Sequence, residues 1–207
     1  MNTQSGRSMV EMLGVLAIIG VLSVGAIAGY SKAMMKYKMN KFSVSLNELL
    51  NTSIQYSGKL YSASNYTADA SGSQYFANIL YKMNALPDGI KYKDNQFLED
   101  IFGNDIWPYG GRSFYGLGYL LGRNGNNKLG NEICHQVINI AKENSSQLWQ
   151  IYTDNLSTEG DEKNLVLFGD AYCASDVKCL KNVSISDVET MCHYFKGQRS
   201  RFYILWK

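Results

Sequence analysis

The sequence has few of the side chains that perform catalysis. Only two of its 207 residues are histidines, His135 and His193, and each of them directly follows a cysteine. The Gly-x-Ser-x-Gly, phosphate-loop and His-Glu-x-x-His patterns are all absent. The aspartates are scattered, without the ligand spacing of a calcium-binding loop. We therefore expect a protein that is not an enzyme and that has no cofactor and no metal site.

Excess charge and proline are also scarce. The chain carries 20 basic and 18 acidic residues, for a net charge of +2, so no strong field indicates a nucleic-acid partner. Two prolines stand against 15 tyrosines, and Asn, Ser and Gly are frequent after residue 50. This profile is typical of an exposed, loop-rich domain. Beyond the first 30 or so residues, the remaining length suits one globular domain.

Charge is missing altogether from residues 12–30, a run of 19 residues in which Ser23 and Tyr30 carry the only side-chain hydroxyls. About 20 apolar residues form a helix long enough to cross the roughly 30 Å hydrocarbon core of a bilayer. The run contains four glycines, each of which would cost a helix in water about 1 kcal/mol but lets membrane helices approach closely. The pattern predicts a membrane helix that packs on other helices, rather than the core helix of a soluble protein.

Glu11 stands immediately before this run. A carboxylate within hydrocarbon costs roughly 2.5–3.5 kcal/mol even on lenient insertion scales, so a buried Glu11 needs a partner. The alternative interpretation is that Glu11 marks the membrane surface, near the polar end of the helix.

The helical pattern continues beyond the apolar run. Residues 31–56 contain neither proline nor glycine, and their apolar residues recur at intervals of three and four: Met34, Met35, Met39, Phe42, Leu46, Leu49 and Leu50. We predict one helix from about Ser8 to about Gln55, with Gly58 as its stop. Residues 7–30 would be its membrane part and residues 31–56 its amphipathic continuation.

Residues 57–207 are expected to form the globular domain. The patterns predict a loop over 57–72, a helix over 73–84, a turn at 86–89, a hairpin of strands 105–109 and 113–121, a loop over 122–128, a helix over 131–141, and strands at 164–168 and 202–206. The predicted fold class is α+β: a long N-terminal helix packed on a small antiparallel sheet domain with an inserted helix.

All four cysteines lie in the last 75 residues, and none lies in the apolar helix: Cys134, Cys173, Cys179 and Cys192. An even number of cysteines in a domain tethered beyond a membrane indicates two disulfides, for which three pairings are possible. A zinc site is the alternative. Five residues separate Cys173 from Cys179, however, which is not the spacing of a short zinc knuckle.

The N-terminus resembles the signal of type IV pilins and related pseudopilins. Gly6 is followed by Arg7-Ser8-Met9-Val10-Glu11 and then by the apolar run. In that family a prepilin peptidase cuts after the glycine and methylates the new N-terminus, and a glutamate stands fifth after the cut, as Glu11 does. The resemblance implies that residues 1–6 are a leader, that Gly6–Arg7 is cleaved and that Arg7 is N-methylated. It also implies that Glu11 pairs with the α-amine of a neighbouring subunit.

The rest of the chain resembles the b subclass of type IV pilins. Phe102-Gly103 precedes a predicted strand, Cys134 lies on a predicted helix, and Cys192 precedes the terminal strand. The resemblance implies that Cys134 pairs with Cys192, and we expect Cys173 to pair with Cys179. It further implies a single-pass inner-membrane subunit, surrounded by lipid, with a periplasmic globular domain. Assembly machinery would then polymerise this subunit into a helical filament at the cell surface.

Several alternatives stay open at this stage. The leader contains no lysine or arginine, whereas Lys32, Lys36, Lys38 and Lys41 follow the apolar run, so the positive-inside rule alone would place the globular domain in the cytoplasm. The Gly6–Glu11 signal and the cysteines favour export. Ala26-Ile27-Ala28 resembles a secretory cleavage site, which would leave a soluble chain starting at Gly29. A type II secretion pseudopilin and an anchored binding domain that never polymerises are further alternatives.

Overall fold

The computed structural model describes residues 9–63, 73–121, 129–155, 165–192 and 200–207. Within these residues the chain forms four α-helices and eight strands. The helices are α1 (Met9–Ala63), α2 (Ala77–Lys82), α3 (Gly130–Glu143) and α4 (Ile185–Cys192). The strands are β1 (Gln74–Tyr75), β2 (Lys91–Tyr92), β3 (Leu98–Glu99), β4 (Asp105–Gly110), β5 (Tyr115–Leu121), β6 (Gln150–Asn155), β7 (Val166–Phe168) and β8 (Ser200–Trp206). The loop predicted over 122–128 and most of the loop predicted over 57–72 lie outside the described residues.

All eight strands belong to one antiparallel sheet, so the predicted α+β class is confirmed. The order across the sheet is β2-β3-β4-β5-β8-β6-β7, and β1 pairs with β4 on the side that β3 also occupies. The hairpin of β4 and β5 forms as predicted, with the N–H of Gly111 donating to the carbonyl of Phe114 at 2.8 Å. The C-terminal strand β8 lies between β5 and β6. Strand β8 therefore completes the centre of the sheet rather than its edge.

The chain divides into two compact units, one ending at Asn40 and the other comprising Lys41–Lys207. The described part of the first unit is the N-terminal portion of α1. The second unit contains the remainder of α1 together with all other helices and strands. The globular unit thus includes the part of α1 that follows Asn40.

Within the globular unit, α1 buries one face, as its sequence pattern predicts. The buried residues recur at intervals of three and four: Phe42, Ser45, Leu46, Leu49, Leu50, Ser53, Ser57 and Leu60. The Ser57 hydroxyl accepts a hydrogen bond of 2.7 Å from the indole Nε1 of Trp206 on β8. The Ser45 hydroxyl donates to the carbonyl of Asp88 at 2.5 Å. Small hydroxyl residues therefore let the helix approach the sheet and the turn at 86–89.

The helix ends at Ala63 and not near Gln55, so the prediction that Gly58 stops it was wrong. A glycine inside a helix costs about 1 kcal/mol relative to alanine. Packing beyond Gly58 opposes that cost: the Leu60 side chain is buried, with 1% of it exposed. The Tyr61 ring lies edge-on to the Tyr115 ring, with 6.5 Å between centroids. Tertiary packing therefore carries the helix through Gly58.

The side of the sheet that faces α1 is formed by alternate residues of the central strands. One row across the sheet consists of Ile106, Tyr119, Phe202 and Thr153, and the next consists of Pro108, Leu117, Ile204 and Ile151. The Phe42 ring of α1 packs against the Tyr119 ring at 5.9 Å between centroids. The period-2 alternation of the strands thus builds the core.

A buried polar network supports the turn that contains Phe102-Gly103. The Asp100 carboxylate accepts 2.8 Å bonds from the backbone N–H groups of Phe102 and Asn104, and it also accepts the Tyr119 hydroxyl proton. Burial raises the pKa of Asp100, and burial beside that carboxylate raises the pKa of Tyr119 well above its usual value. The Phe102 ring packs against Phe42 at 5.9 Å. The turn therefore contacts both the sheet, through Tyr119, and α1, through Phe42.

Three predicted elements are shorter in the structure. The strand predicted over 113–121 covers Tyr115–Leu121. Residues 73–84 were predicted as a helix, but Gln74 and Tyr75 pair with β4 as strand β1. Helix α2 then covers only Ala77–Lys82. Asn84 adopts a left-handed conformation, with φ of 53°, just beyond it. The strand predicted over 164–168 covers Val166–Phe168. Pairing with β4 therefore delays the start of α2, and the left-handed Asn84 follows its end. The spacing of apolar residues indicated neither boundary.

Candidate membrane and assembly surface

The N-terminal portion of α1 presents an exposed apolar surface. From Met9 to Ile27 it carries twelve large apolar side chains that are 53–84% exposed: Met9, Val10, Met12, Leu13, Val15, Leu16, Ile18, Ile19, Val21, Leu22, Val24 and Ile27. The stretch from Met9 to Tyr30 is about 33 Å long at 1.5 Å per residue, which matches the roughly 30 Å hydrocarbon core. By length and composition, α1 is the one described helix able to cross a membrane.

Polar groups within this surface are bonded to the helix itself. The hydroxyl of Ser23 donates to the carbonyl of Ile19 at 2.7 Å, and the hydroxyl of Ser31 donates to the carbonyl of Ile27 at 2.9 Å. These two serine hydroxyls are therefore satisfied without water, as a hydrocarbon environment requires.

The four glycines of the apolar run lie in open space, because a Cβ built on any of them meets no heavy atom within 4 Å. Gly25 and Gly29 form a Gly-x-x-x-Gly pair, and Gly14 lies eleven residues before Gly25. At 100° per residue, these three glycines lie within about 60° of one another on one side of the helix. Such spacing is typical of helices that pack closely in membranes, and it was a signal present in the sequence.

Glu11 lies in the first turn of α1, and its side chain is exposed. A carboxylate at this position is favoured by the partial positive charge of the helix N-terminus. Gly6 and Arg7, the predicted cleavage and methylation positions, lie outside the described residues. The structure therefore places the carboxylate at the start of the apolar surface, about five residues beyond the predicted cut.

The four cysteines form two disulfides, Cys134–Cys192 and Cys173–Cys179, which is the pairing expected above. Cys134 on α3 and Cys192 at the end of α4 are both fully buried. No free thiol exists among the described residues, so the alternative of a cysteine zinc site is excluded by the pairing. Two disulfides fit an extracytoplasmic domain.

Helix α4 was missed by the sequence interpretation, although a signal for it was present. Ser184 and Asp187 form a reciprocal capping box: the Asp187 N–H donates to the Ser184 hydroxyl at 3.2 Å, and the Ser184 N–H donates to the Asp187 carboxylate at 3.1 Å. The Lys178 ammonium also pairs with Asp187, and this pairing lowers the pKa of that carboxyl. This cap begins the helix that presents Cys192 to Cys134.

Acidic and histidine side chains of the globular unit lie apart in the described regions. Asp154 pairs with Arg201 at 3.5 Å, and Asp170 accepts a bond from the Ser145 hydroxyl at 3.1 Å. The Nε2 atom of His135 lies 3.4 Å from the Glu189 carboxylate, whereas His193 lies outside the described residues. Over the ranges given above, no three His, Cys, Asp or Glu side chains converge as metal ligands.

Compared with protein-family models, with curated proteins and with solved structures, the chain has no match.

Proposed function

We propose that this chain is a structural subunit of a type IV pilus-like surface filament. It is inserted in the inner membrane through the N-terminal portion of α1, with its globular domain in the periplasm. Prepilin peptidase cleaves it between Gly6 and Arg7 and methylates Arg7. The observation that carries the proposal is an exposed apolar stretch of α1, of bilayer length, in which Glu11 is the one carboxylate and stands fifth from the predicted new N-terminus.

The exposed apolar surface supports a covered location for this helix. Burying a large apolar side chain contributes about 1.5–3 kcal/mol, so twelve such side chains correspond to roughly 20–35 kcal/mol. Exposing these side chains to water would cost the same free energy. The helix therefore stays covered, first by lipid and then by other subunits in the core of the filament. Transfer from lipid to filament gains little hydrophobic energy, so close packing and polar contacts decide assembly. The Gly25–Gly29 side of the helix suits such packing.

Glu11 supplies the polar contact in this proposal. In the filament its carboxylate pairs with the α-amine that cleavage creates at Arg7 of a neighbouring subunit. Two charges removed from water are tolerated when they are paired, and an unpaired one is costly. A subunit in the wrong register would leave a carboxylate without its amine. Glu11 therefore sets the register between subunits.

The globular domain has a structural role in this proposal, without catalysis and without a nucleic-acid partner. Its two disulfides and the central position of β8 make it a covalently braced unit suited to exposure at the cell surface. The machinery that assembles the subunit would be that of a type IV pilus, and a type II secretion pseudopilin uses the same subunit plan.

Filament recovery tests the proposal. Surface filaments are sheared from cells that produce the chain, pelleted, and imaged with an antibody against the globular domain. We expect the wild-type chain in labelled filaments. The Gly6→Leu variant should give none, because it blocks the peptidase pocket and leaves an uncut precursor in the membrane. Wild-type chain found wholly in the membrane, or as a soluble monomer in the medium, would contradict polymerisation.

A further inference from the structure

A cluster of lysines surrounds α1 just beyond its apolar run. Lys32, Lys36 and Lys38 are all exposed, and Tyr30 and Tyr37 beside them are 67% and 57% exposed. We call the three lysines the basic collar. No acidic residue occurs between Glu11 and Glu48, so the collar lies in a long stretch of the chain that carries positive charge alone. Among the described residues no ion pair engages these three lysines, in contrast to Lys41, which pairs with Asp88 at 2.8 Å.

The arrangement of the collar around the helix indicates what it contacts. At 100° per residue, Lys32 and Lys36 lie about 40° apart, while Lys38 lies roughly 120° from Lys32. Tyr30 and Tyr37 occupy a third direction, about 20° apart from each other. A helix that docks on one protein partner shows one contact face. Charges and aromatic rings on several sides of the helix, all within residues 30–38, instead match a layer that surrounds the helix.

The lysines of the collar lie within side-chain reach of the headgroup layer of a bilayer. If the apolar run from Met9 to Tyr30 fills the hydrocarbon core, Lys32 stands about 3 Å, Lys36 about 9 Å and Lys38 about 12 Å beyond its edge. The polar layer on each side of a bilayer is about 5–8 Å thick. The backbone of Lys32 therefore lies within this layer, and the backbones of Lys36 and Lys38 lie just beyond it. Lysine side chains extend several ångströms along the helix axis, so all three ammonium groups can reach the layer. Tyrosine is enriched at this same level.

From this charge complementarity and depth, we infer that the basic collar binds the phosphate groups of anionic phospholipids in the leaflet on the globular-domain side. This inference rests on the membrane insertion proposed above. The collar also offers a reason for lysines on the side of the membrane that the positive-inside rule disfavours. They would hold the N-terminal portion of α1 at a fixed depth in the membrane.

The inference is tested with the full-length chain reconstituted in phosphatidylcholine vesicles that contain spin-labelled lipid. The fraction of motionally restricted label gives the association of phosphatidylglycerol relative to phosphatidylcholine. We expect a preference for phosphatidylglycerol of at least about fivefold, the effect of one lysine worth about 1 kcal/mol near a charged surface. The preference should fall in 1 M salt, where screening extends over only about 3 Å.

The decisive comparison uses two triple variants with the same change in charge. The K32Q/K36Q/K38Q variant should lose the preference. The K91Q/K142Q/K181Q variant, which alters three exposed lysines of the globular unit, should keep it. An unchanged preference in the collar variant, an equal loss in both variants, or no preference in the wild-type chain would overturn the inference. A chain washed from the vesicles by alkaline carbonate would instead overturn the membrane insertion itself, so the two failures are distinguishable.

Discussion

Replacing Cys134 and Cys192 together by serine is expected to lower the free energy of unfolding of the globular unit by about 4 kcal/mol. The bond joins residues separated by 58 positions, and chain-entropy arithmetic gives about this value for a loop of that length. Both cysteines are fully buried, so the serine hydroxyls would also be removed from water at positions where the native structure has no hydrogen-bonding polar group. All three tryptophans lie in the globular unit, so their fluorescence during urea unfolding of the full-length chain in detergent measures the effect.

The matched control is the variant with serine at Cys173 and Cys179. These residues are separated by six positions, for which the same arithmetic gives about 2 kcal/mol. This bond closes a small surface loop, whereas the first ties α3 to α4 shortly before β8 enters the centre of the sheet. We therefore expect the Cys134–Cys192 variant to lose more free energy of unfolding than the Cys173–Cys179 variant. Equal losses, or a Cys134–Cys192 variant as stable as the wild type, would contradict the bracing role of the long-range bond.

Glu11→Ala is expected to leave an inserted, folded subunit that fails to polymerise. Removing one partner of a buried ion pair costs about 3–5 kcal/mol, which corresponds to a loss of at least about 100-fold in subunit affinity. Insertion itself should be unaffected or improved, because a charge is removed from the apolar helix. The measurement is the amount of chain in the sheared filament fraction, relative to the chain in the membrane fraction.

Two further variants separate pairing from other roles of Glu11. Glu11→Gln keeps the size of the side chain and loses the charge, so it should assemble as poorly as Glu11→Ala. Glu48→Gln removes another exposed carboxylate from the same helix and makes the same change in net charge, and it should assemble normally. Filaments at the wild-type level from both Glu11 variants would show that the carboxylate has no pairing role.

The parts of the fold that the sequence predicted have strong local patterns. The three-and-four spacing identified the buried face of α1 from Phe42 onward, although Met35 of the same predicted face is 39% exposed. Helix α3 forms where it was predicted, with Cys134 buried on it. The turn predicted at 86–89 forms one residue later, over 87–90: the N–H of Ile90 donates to the carbonyl of Pro87 at 3.1 Å, and Gly89 has a φ of 101°. In each case the determining contacts lie within a few residues of one another.

The parts that the sequence interpretation missed depend on distant partners. Strands β1, β2 and β3 have two residues each, too few to show alternation. Strand β6 alternates buried Ile151 and Thr153 with half-exposed Tyr152 and Asp154, but its polar composition hid the pattern. The continuation of α1 past Gly58 depends on contacts with residues more than 50 positions away. The central place of β8 follows from pairing with β5 and β6 and has no local signal.

The candidate site likewise combines local features, which the sequence shows, with contacts to distant partners, which it does not. The length of the apolar helix, its glycines and the position of Glu11 could all be read from the chain, because each is a local feature. The Ser184–Asp187 capping box that begins α4 was equally local and was overlooked. The partner proposed for Glu11 belongs to a second subunit, so neither the sequence nor the fold of one chain contains that contact.

The intact mass of the chain purified from its host tests the central claim most directly, because prepilin-type processing distinguishes this subunit class from the other anchored and secreted proteins. We expect a chain that begins at Arg7, with or without one added methyl group at the new N-terminus. A chain that begins at Gly29 would indicate a secretory signal peptide. A chain that retains residues 1–6 would show that Gly6–Arg7 is not a processing site. Either result would contradict the account.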